Sequence, residues 1–210
     1  MLSQIFKAYD IRGIYGKDLT EGTAYEIGRA FVYFLKAKDV IVGTDMRLSS
    51  PKLSKAFMKG VTEQGANAIF IGEVCTDAVY FASGFLKKPG VMFTASHNPP
   101  QYNGMKFCKS NAAPINQDTG LQQIKSIIEA KQYKIQENQR FSGHRKSDEC
   151  ERVRKRAHSH AAGFSREIKI KKHGKTVKKN ILKDYVKHVR KFIDVKKLIN
   201  LKIAVDAGNG

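Results

Sequence analysis

Residues 1–137 predict a layered α/β domain, a mixed, mostly parallel sheet flanked by helices. Two observations carry this. Short apolar, β-branched runs alternate with stretches whose apolar residues recur every three or four positions, the order of strands joined by crossover helices. Glycine, proline and capping hydroxyls punctuate that alternation where elements should start and stop.

Thr20 is placed to cap a helix whose Ala24, Ile27, Phe31, Phe34 and Leu35 form one apolar face, with Glu26 and Arg29 towards water. Residues 39–43 then read as a buried strand, and Ser50-Pro51 as an N-cap followed by proline at the first helical position. Leu53, Phe57 and Val61 continue that helix, and Gly65 stops it. Residues 68–71 are the next strand. Residues 77–87 follow as a helix with Val79, Phe81, Ala82 and Phe85 inward, and 90–93 as a short buried strand. A turn at Asn103-Gly104 leads to an antiparallel strand at 105–108, and a helix over 115–131 closes the domain.

Beyond it the pattern changes. Residues 140–180 hold fourteen Lys or Arg against four Asp or Glu, about half of the formal +19 of the chain. Apolar periodicity is weak there, so 138–175 reads as a basic, mobile insertion. Three readings stay open for it: a solvated insertion, contact with nucleic acid or another anionic surface, and a reading-frame or assembly artefact. Residues 181–193 form an amphipathic helix, with Ile181, Leu182, Tyr185, Val186, Val189, Phe192 and Ile193 opposite Lys183, Lys187, Arg190 and Lys191. A strand at 201–206 follows, so 176–210 reads as the incomplete start of a second, similar domain, whose exposed apolar surface should fray, self-associate or pack on the first.

At 210 residues and 41% hydrophobic, the chain supports one good core. Cys75, Cys108 and Cys150 have no metal-type spacing, and His158 and His160 lack ligand partners. No run of about 18 apolar residues appears, so a membrane is not expected as a partner and a reducing cytoplasm is the expected setting.

The chemistry concentrates at residues 94–106. Pro99 and Pro100 restrict the backbone around them, and the strand at 90–93 delivers Ser96 to a carboxyl end, where open α/β sheets bind ligands. His97 is adjacent and Lys106 lies beyond the turn, so a hydroxyl has a base and a cation near it. No Gly-x-Ser-x-Gly elbow surrounds Ser96, which argues against an acyl-transfer hydrolase.

Thr94-Ala95-Ser96-His97-Asn98-Pro99-Pro100 followed by Tyr102-Asn103-Gly104-Met105-Lys106 resembles the active-site serine loop of the α-D-phosphohexomutases. Three further stretches resemble that family in the same order: residues 6–13 (FKAYDIRG), 42–50 (VGTDMRLSS) and 205–210 (VDAGNG). The Ala-Tyr-Asp-Ile-Arg-Gly opening is similar to the phosphomannomutase/phosphoglucomutase branch. The family commonly has Arg where this chain has Thr44.

The resemblance implies a phosphoserine enzyme. Ser96 would carry a phosphoryl group, give it to a hexose phosphate substrate and recover one from a hexose bisphosphate intermediate, interconverting hexose 1- and 6-phosphates of mannose or glucose. By family position Lys106 is general acid/base, Arg12 faces phosphate, and His97 and Asn98 support the loop. Tyr9 and Asn98 are the substrate-binding candidates. Mg2+ is the implied cofactor, with Ser96 as the metal-linked residue, since phosphoserine oxygens need cationic partners. The duller readings are a turn serine at 96, solvent-facing cations at 12 and 106, and a structural loop role for His97. Arg47 is assigned an ion pair with Asp45 and left outside the catalytic set.

The family's Asp-Gly-Asp-x-Asp-Arg metal loop and later sugar-specificity loops do not occur in these 210 residues. Negligible mutase activity is therefore expected of the chain alone, and a separate chain carrying the missing domains is one partner to consider. The alternative function is a nucleic-acid or polyanion binder that uses the basic 140–180 stretch on a mutase-like scaffold.

Overall fold

The computed structural model describes residues 2–134, 173–194 and 202–206. The first half alternates strand and helix: α1 (Leu2–Ile5), β1 (Ile11–Ile14), α2 (Glu21–Leu35), β2 (Asp39–Thr44), α3 (Ser50–Glu63), β3 (Asn67–Glu73), α4 (Thr76–Leu86) and β4 (Gly90–Phe93). Then come β5 (Tyr102–Cys108), β6 (Pro114–Ile115), α5 (Gln122–Glu129), β7 (Thr176–Lys178) and α6 (Leu182–Val189). The sheet is mixed, in the order β1-β5-β4-β2-β3-β7, with β6 on β5. β4, β2, β3 and β7 run parallel, whereas β5 is antiparallel to both β4 and β1.

Alternation along the strands divides the core between two faces. Val40, Val42, Phe93, Met105 and Phe107 pack with Ile27, Phe31, Leu53, Phe57, Val61 and Ile124 from α2, α3 and α5. Ile41, Ile69, Ile71 and Met92 pack on the other face with Val79 and Ala82 of α4 and with Ile181. Aromatic rings lock the first layer, with Phe31 and Phe107 centroids 5.1 Å apart and Phe57 and Phe93 5.6 Å apart. α2 and α3 meet backbone to backbone: a Cβ on Gly28 would lie 2.4 Å from the Phe57 carbonyl oxygen, and one on Gly60 2.2 Å from that of Tyr25.

Several sequence expectations hold in detail. The Thr20 hydroxyl accepts the Thr23 amide at 3.2 Å and caps α2, and Leu53, Phe57 and Val61 are fully buried. Others need correction. Arg29 is buried, not solvent-facing: its Nε donates to Gln64 Oε1 at 3.1 Å and its guanidinium lies 4.8 Å from the Tyr133 ring centroid. Tyr133, contributed after α5, closes over it and hydrogen-bonds Glu26, which is half-buried. Tyr25 bonds Glu63 in the same layer; burial first, and then that carboxylate, push its phenol up to about 12.

Ser49, not Ser50, is the residue before α3, and it makes no side-chain cap bond: its Oγ accepts the Asn103 side-chain amide at 2.7 Å, while the Ser50 hydroxyl donates to Asp45 Oδ1 at 2.7 Å. Phe85 is 55% exposed, stacked on Phe81 at 5.3 Å outside the core, because α4 buries the Ala78, Val79, Ala82 side. Ile115 belongs to β6, and a five-residue π turn at Gln117–Leu121, capped by Asn116, precedes α5. Asn103 and Gly104 lie inside β5 rather than in a turn. Gly104 is there for closeness: a Cβ would sit 2.4 Å from the Ile11 carbonyl oxygen and 2.9 Å from that of Thr94.

Residues 174–178, next to the basic stretch, extend the first sheet. Lys175 N donates to Asn67 Oδ1 at 3.0 Å and β7 pairs with β3. The amphipathic segment after it buries only Ile181 and leaves Leu182, Val186, Val189, Phe192 and Ile193 exposed. Residues 202–206 carry no strand, since no neighbouring strand reaches them among the described residues. The basic 138–172 stretch, Cys150, His158, His160 and residues 207–210 lie outside the described residues. Among the described residues no helix is long and apolar enough to cross a membrane.

The helix contact gives a direct test. Gly60→Ala should lower the unfolding free energy by about 1–3 kcal/mol, because α2 and α3 must separate to admit one methyl. Urea denaturation reads this, and an unchanged midpoint would show that the helices yield without cost.

Candidate functional site

The register of three strands builds the site. Phe93 of β4 faces Met105 of β5, and Arg12 of β1 faces Gly104 of β5. Lys106 is two residues from Gly104, so alternation brings Arg12 and Lys106 out on one face. Asp10 sits between them. Its buried carboxylate accepts from Arg12 at 2.6 Å and from Lys106 Nζ at 3.1 Å through the same oxygen, Oδ2. The two cations are thereby held side by side, each side chain about one-third exposed.

Ser96 lies three residues beyond β4, on the loop that returns to β5. It is exposed, and its φ of 55° is left-handed. A non-glycine residue there costs about 1–3 kcal/mol unless its surroundings enforce it. The enforcement is visible. Thr94 Oγ1 accepts the Ser96 amide at 2.9 Å, and the Asn98 amide side chain donates to the Ala95 carbonyl at 2.7 Å. Arg47 spans the loop from outside, donating to the carbonyls of Ser96 at 2.8 Å, Asn98 at 2.7 Å, and Pro99 and Tyr102 at 2.9 Å each. At about 1 kcal/mol or more net per bond, such contacts outweigh the strain at Ser96.

His97 Nδ1 is 3.2 Å from Ser96 Oγ, within hydrogen-bond reach, and either atom can donate according to the imidazole tautomer. Thr94 N bonds the Gly104 carbonyl at 3.0 Å, so the serine loop leaves the sheet beside the residue that faces Arg12. Ser96 makes no hydrogen bond to Arg12 or Lys106: its hydroxyl is in reach of His97, and the two cations bond Asp10. Tyr9 is 76% exposed two residues before the strand that carries Arg12. Asn98 spends its amide nitrogen within the loop. Thr44 is buried at the end of β2.

A divalent metal needs several oxygen donors, and magnesium prefers six. The nearby carboxylates are already committed, Asp10 to Arg12 and Lys106, and Asp45 to Arg47 and Ser50. Among the described residues no group of three or more His, Cys, Asp or Glu could hold a metal. Ser96 contributes one oxygen, so these residues do not make a magnesium site.

Two residues join the site that the sequence reading left outside it. Asp10 stands two before Arg12, and in an extended segment that spacing puts both side chains on one face, a signal legible in advance. Arg47 does make the expected ion pair with Asp45, at 3.3 Å. Its loop contacts join residues 49 to 55 positions apart, and no local pattern announces them.

Residues 3–134 match the family model described as phosphoglucomutase/phosphomannomutase, alpha/beta/alpha domain I. The chain is 36% identical over 206 residues to a phosphomannomutase of Escherichia coli, covering 98% of the chain and 38% of that relative. An alignment of that length also crosses residues 138–175, the segment whose composition sets it apart. A Klebsiella pneumoniae phosphomannomutase is 46% identical over 129 residues, 61% of the chain and 82% of the relative. Among solved structures, a phosphoglucomutase/phosphomannomutase family protein from Burkholderia thailandensis superposes with a TM-score of 0.63 at 29% identity, over 90% of this chain and 36% of that one. The chain thus spans little more than a third of the length of the E. coli relative.

Asp10→Asn keeps the side-chain size and removes the charge that Arg12 and Lys106 share. The unfolding free energy should fall by about 1–3 kcal/mol in urea melts. A wild-type midpoint would mean that the two cations are held by other groups.

Proposed function

Because the chain belongs to the phosphoglucomutase/phosphomannomutase family, we propose that it is the serine-bearing part of a phosphohexomutase, with Ser96 as the phosphoryl carrier. The observation that carries this reading is an exposed serine hydroxyl in an enforced left-handed conformation, at the end of the sheet where Arg12 and Lys106 are paired. Phosphoryl transfer asks mainly for positioning and cationic neutralisation, and a stiff loop beside two cations offers both.

In this reading the reaction has two halves. The P–O bond to Ser96 breaks as a bond forms to a hydroxyl of a hexose monophosphate, which gives a hexose bisphosphate and free Ser96. The bisphosphate turns over, and its other phosphoryl group moves to Ser96 Oγ. The hydroxyl proton is transferred each time, with Lys106 proposed as general acid/base at the sugar and His97 as the group beside Ser96 Oγ. Arg12, Tyr9 and Asn98 are proposed on the phosphate and sugar side. Mannose and glucose phosphates are the proposed substrates, in the cytoplasm.

Mg2+ belongs to the proposal as the cofactor of the whole enzyme, and its remaining ligands would have to come from outside the residues described. For the same reason the 210-residue chain is proposed to lack turnover unless a separate chain supplies the missing parts.

Intact-mass measurement after incubation with glucose 1,6-bisphosphate and magnesium tests the reading. The expected result is a gain of one phosphoryl group, mapped to Ser96 and absent in Ser96→Ala, with negligible net interconversion of hexose phosphates. No gain, or a gain on another residue, would remove Ser96 from the mechanism.

A further inference from the structure

Arg47 has a side chain only 11% exposed, and every N–H it owns is occupied. A guanidinium carries five such hydrogens and no acceptor. Nε faces Asp45 Oδ2, one terminal nitrogen serves Ser96 and Asn98, and the other serves Pro99 and Tyr102. No donor remains for a sugar phosphate unless the loop is released.

We infer that Arg47 is a positioning residue for phosphoryl transfer: it fixes the loop that presents Ser96 and does not bind substrate. The inference rests on the proposed role of Ser96. The guanidinium is itself anchored. Asp45 Oδ1 accepts the Arg47 backbone amide at 3.1 Å and the Ser50 hydroxyl at 2.7 Å, and the Asp45 amide bonds the Phe93 carbonyl at 2.9 Å. Ser50 Oγ in turn accepts from the fully buried Asn103 amide at 3.0 Å. A continuous chain of hydrogen bonds therefore runs from β5, beside Gly104, through Ser50, Asp45 and Arg47 to the carbonyl of Ser96. One end lies in β5, next in sequence to the residue that faces Arg12, and the other is the serine loop.

Geometry also says why lysine cannot substitute. Four carbonyls spread over residues 96–102 need a planar fork, whereas an ammonium offers three donors at one point. A role in charge alone would be kept by Arg47→Lys; a positioning role would not.

Amide hydrogen exchange at Ser96, Asn98 and Tyr102 separates these cases, since those amides are held by Thr94 Oγ1 at 2.9 Å, the Ala95 carbonyl at 3.1 Å and the Pro99 carbonyl at 3.0 Å. Arg47→Lys and Arg47→Met should both exchange about tenfold faster at the three positions, with β2 and β3 unchanged. Phosphoryl uptake by Ser96 from glucose 1,6-bisphosphate should fall about a hundredfold in both, the cost of a nucleophile displaced by an ångström or so. Wild-type exchange in Arg47→Lys, or wild-type uptake from a fast-exchanging loop, overturns the inference. Should circular dichroism show the Arg47 variants unfolded, Ser50→Ala removes one link; it should speed the same amides by a smaller factor, and an unmoved loop would be equally contradictory. If wild-type Ser96 takes no phosphoryl group, the phosphoserine reading fails, while the exchange measurement still decides the role of Arg47.

Discussion

Gly104 lies between the carbonyl oxygens of Ile11 and Thr94, closer to both than a side chain allows. That approach lets β5 run between β1 and β4 in a tight antiparallel pair of ladders, although β4, β2, β3 and β7 run parallel to one another. The consequences reach the site directly. Register with β1 places Arg12 beside Lys106, and register with β4 sends the chain into the serine loop next to them. A looser contact at Gly104 would separate the cations from the hydroxyl.

Two kinds of restraint then fix what the sheet has assembled. On the cation side, a single buried carboxylate oxygen of Asp10 holds both Arg12 and Lys106. On the serine side, the backbone is held in a disfavoured conformation by Thr94, Asn98 and Arg47. Both are electrostatic, and each is centred on a group largely withdrawn from water, the Asp10 carboxylate in one case and the Arg47 guanidinium in the other. Such pre-organisation suits phosphoryl transfer, in which the protein contributes placement and charge rather than bond-making of its own.

Legibility in the sequence followed the range of the interaction. Thr20, Pro51 and the stripe Leu53, Phe57, Val61 act within one helix and could be read off directly. So could the serine loop, whose residues are contiguous. Arg29 misled, because its burial depends on Tyr133, more than a hundred positions away, closing over α2. Asn103-Gly104 misled for a similar reason: the dipeptide favours turns in isolation, but neighbouring strands require the glycine for proximity. The loop contacts of Arg47 and the shared oxygen of Asp10 exist only once distant segments are paired. Residues 174–178, adjoining a basic stretch, gave no local sign that they would extend the sheet beside β3.

The central claim is that Ser96, Arg12 and Lys106 form one anion-binding site at the end of β4, β5 and β1. Titration of the isotopically labelled chain with glucose 1-phosphate, followed by nuclear magnetic resonance, tests it most directly. The account predicts that the Ser96 amide, the Arg12 guanidinium and the Lys106 ammonium signals shift together along one binding curve, and that inorganic phosphate moves the same signals and raises the apparent dissociation constant for glucose 1-phosphate. Signals of the two cations moving while Ser96 stays in place, or separate curves for the two groups, would contradict it.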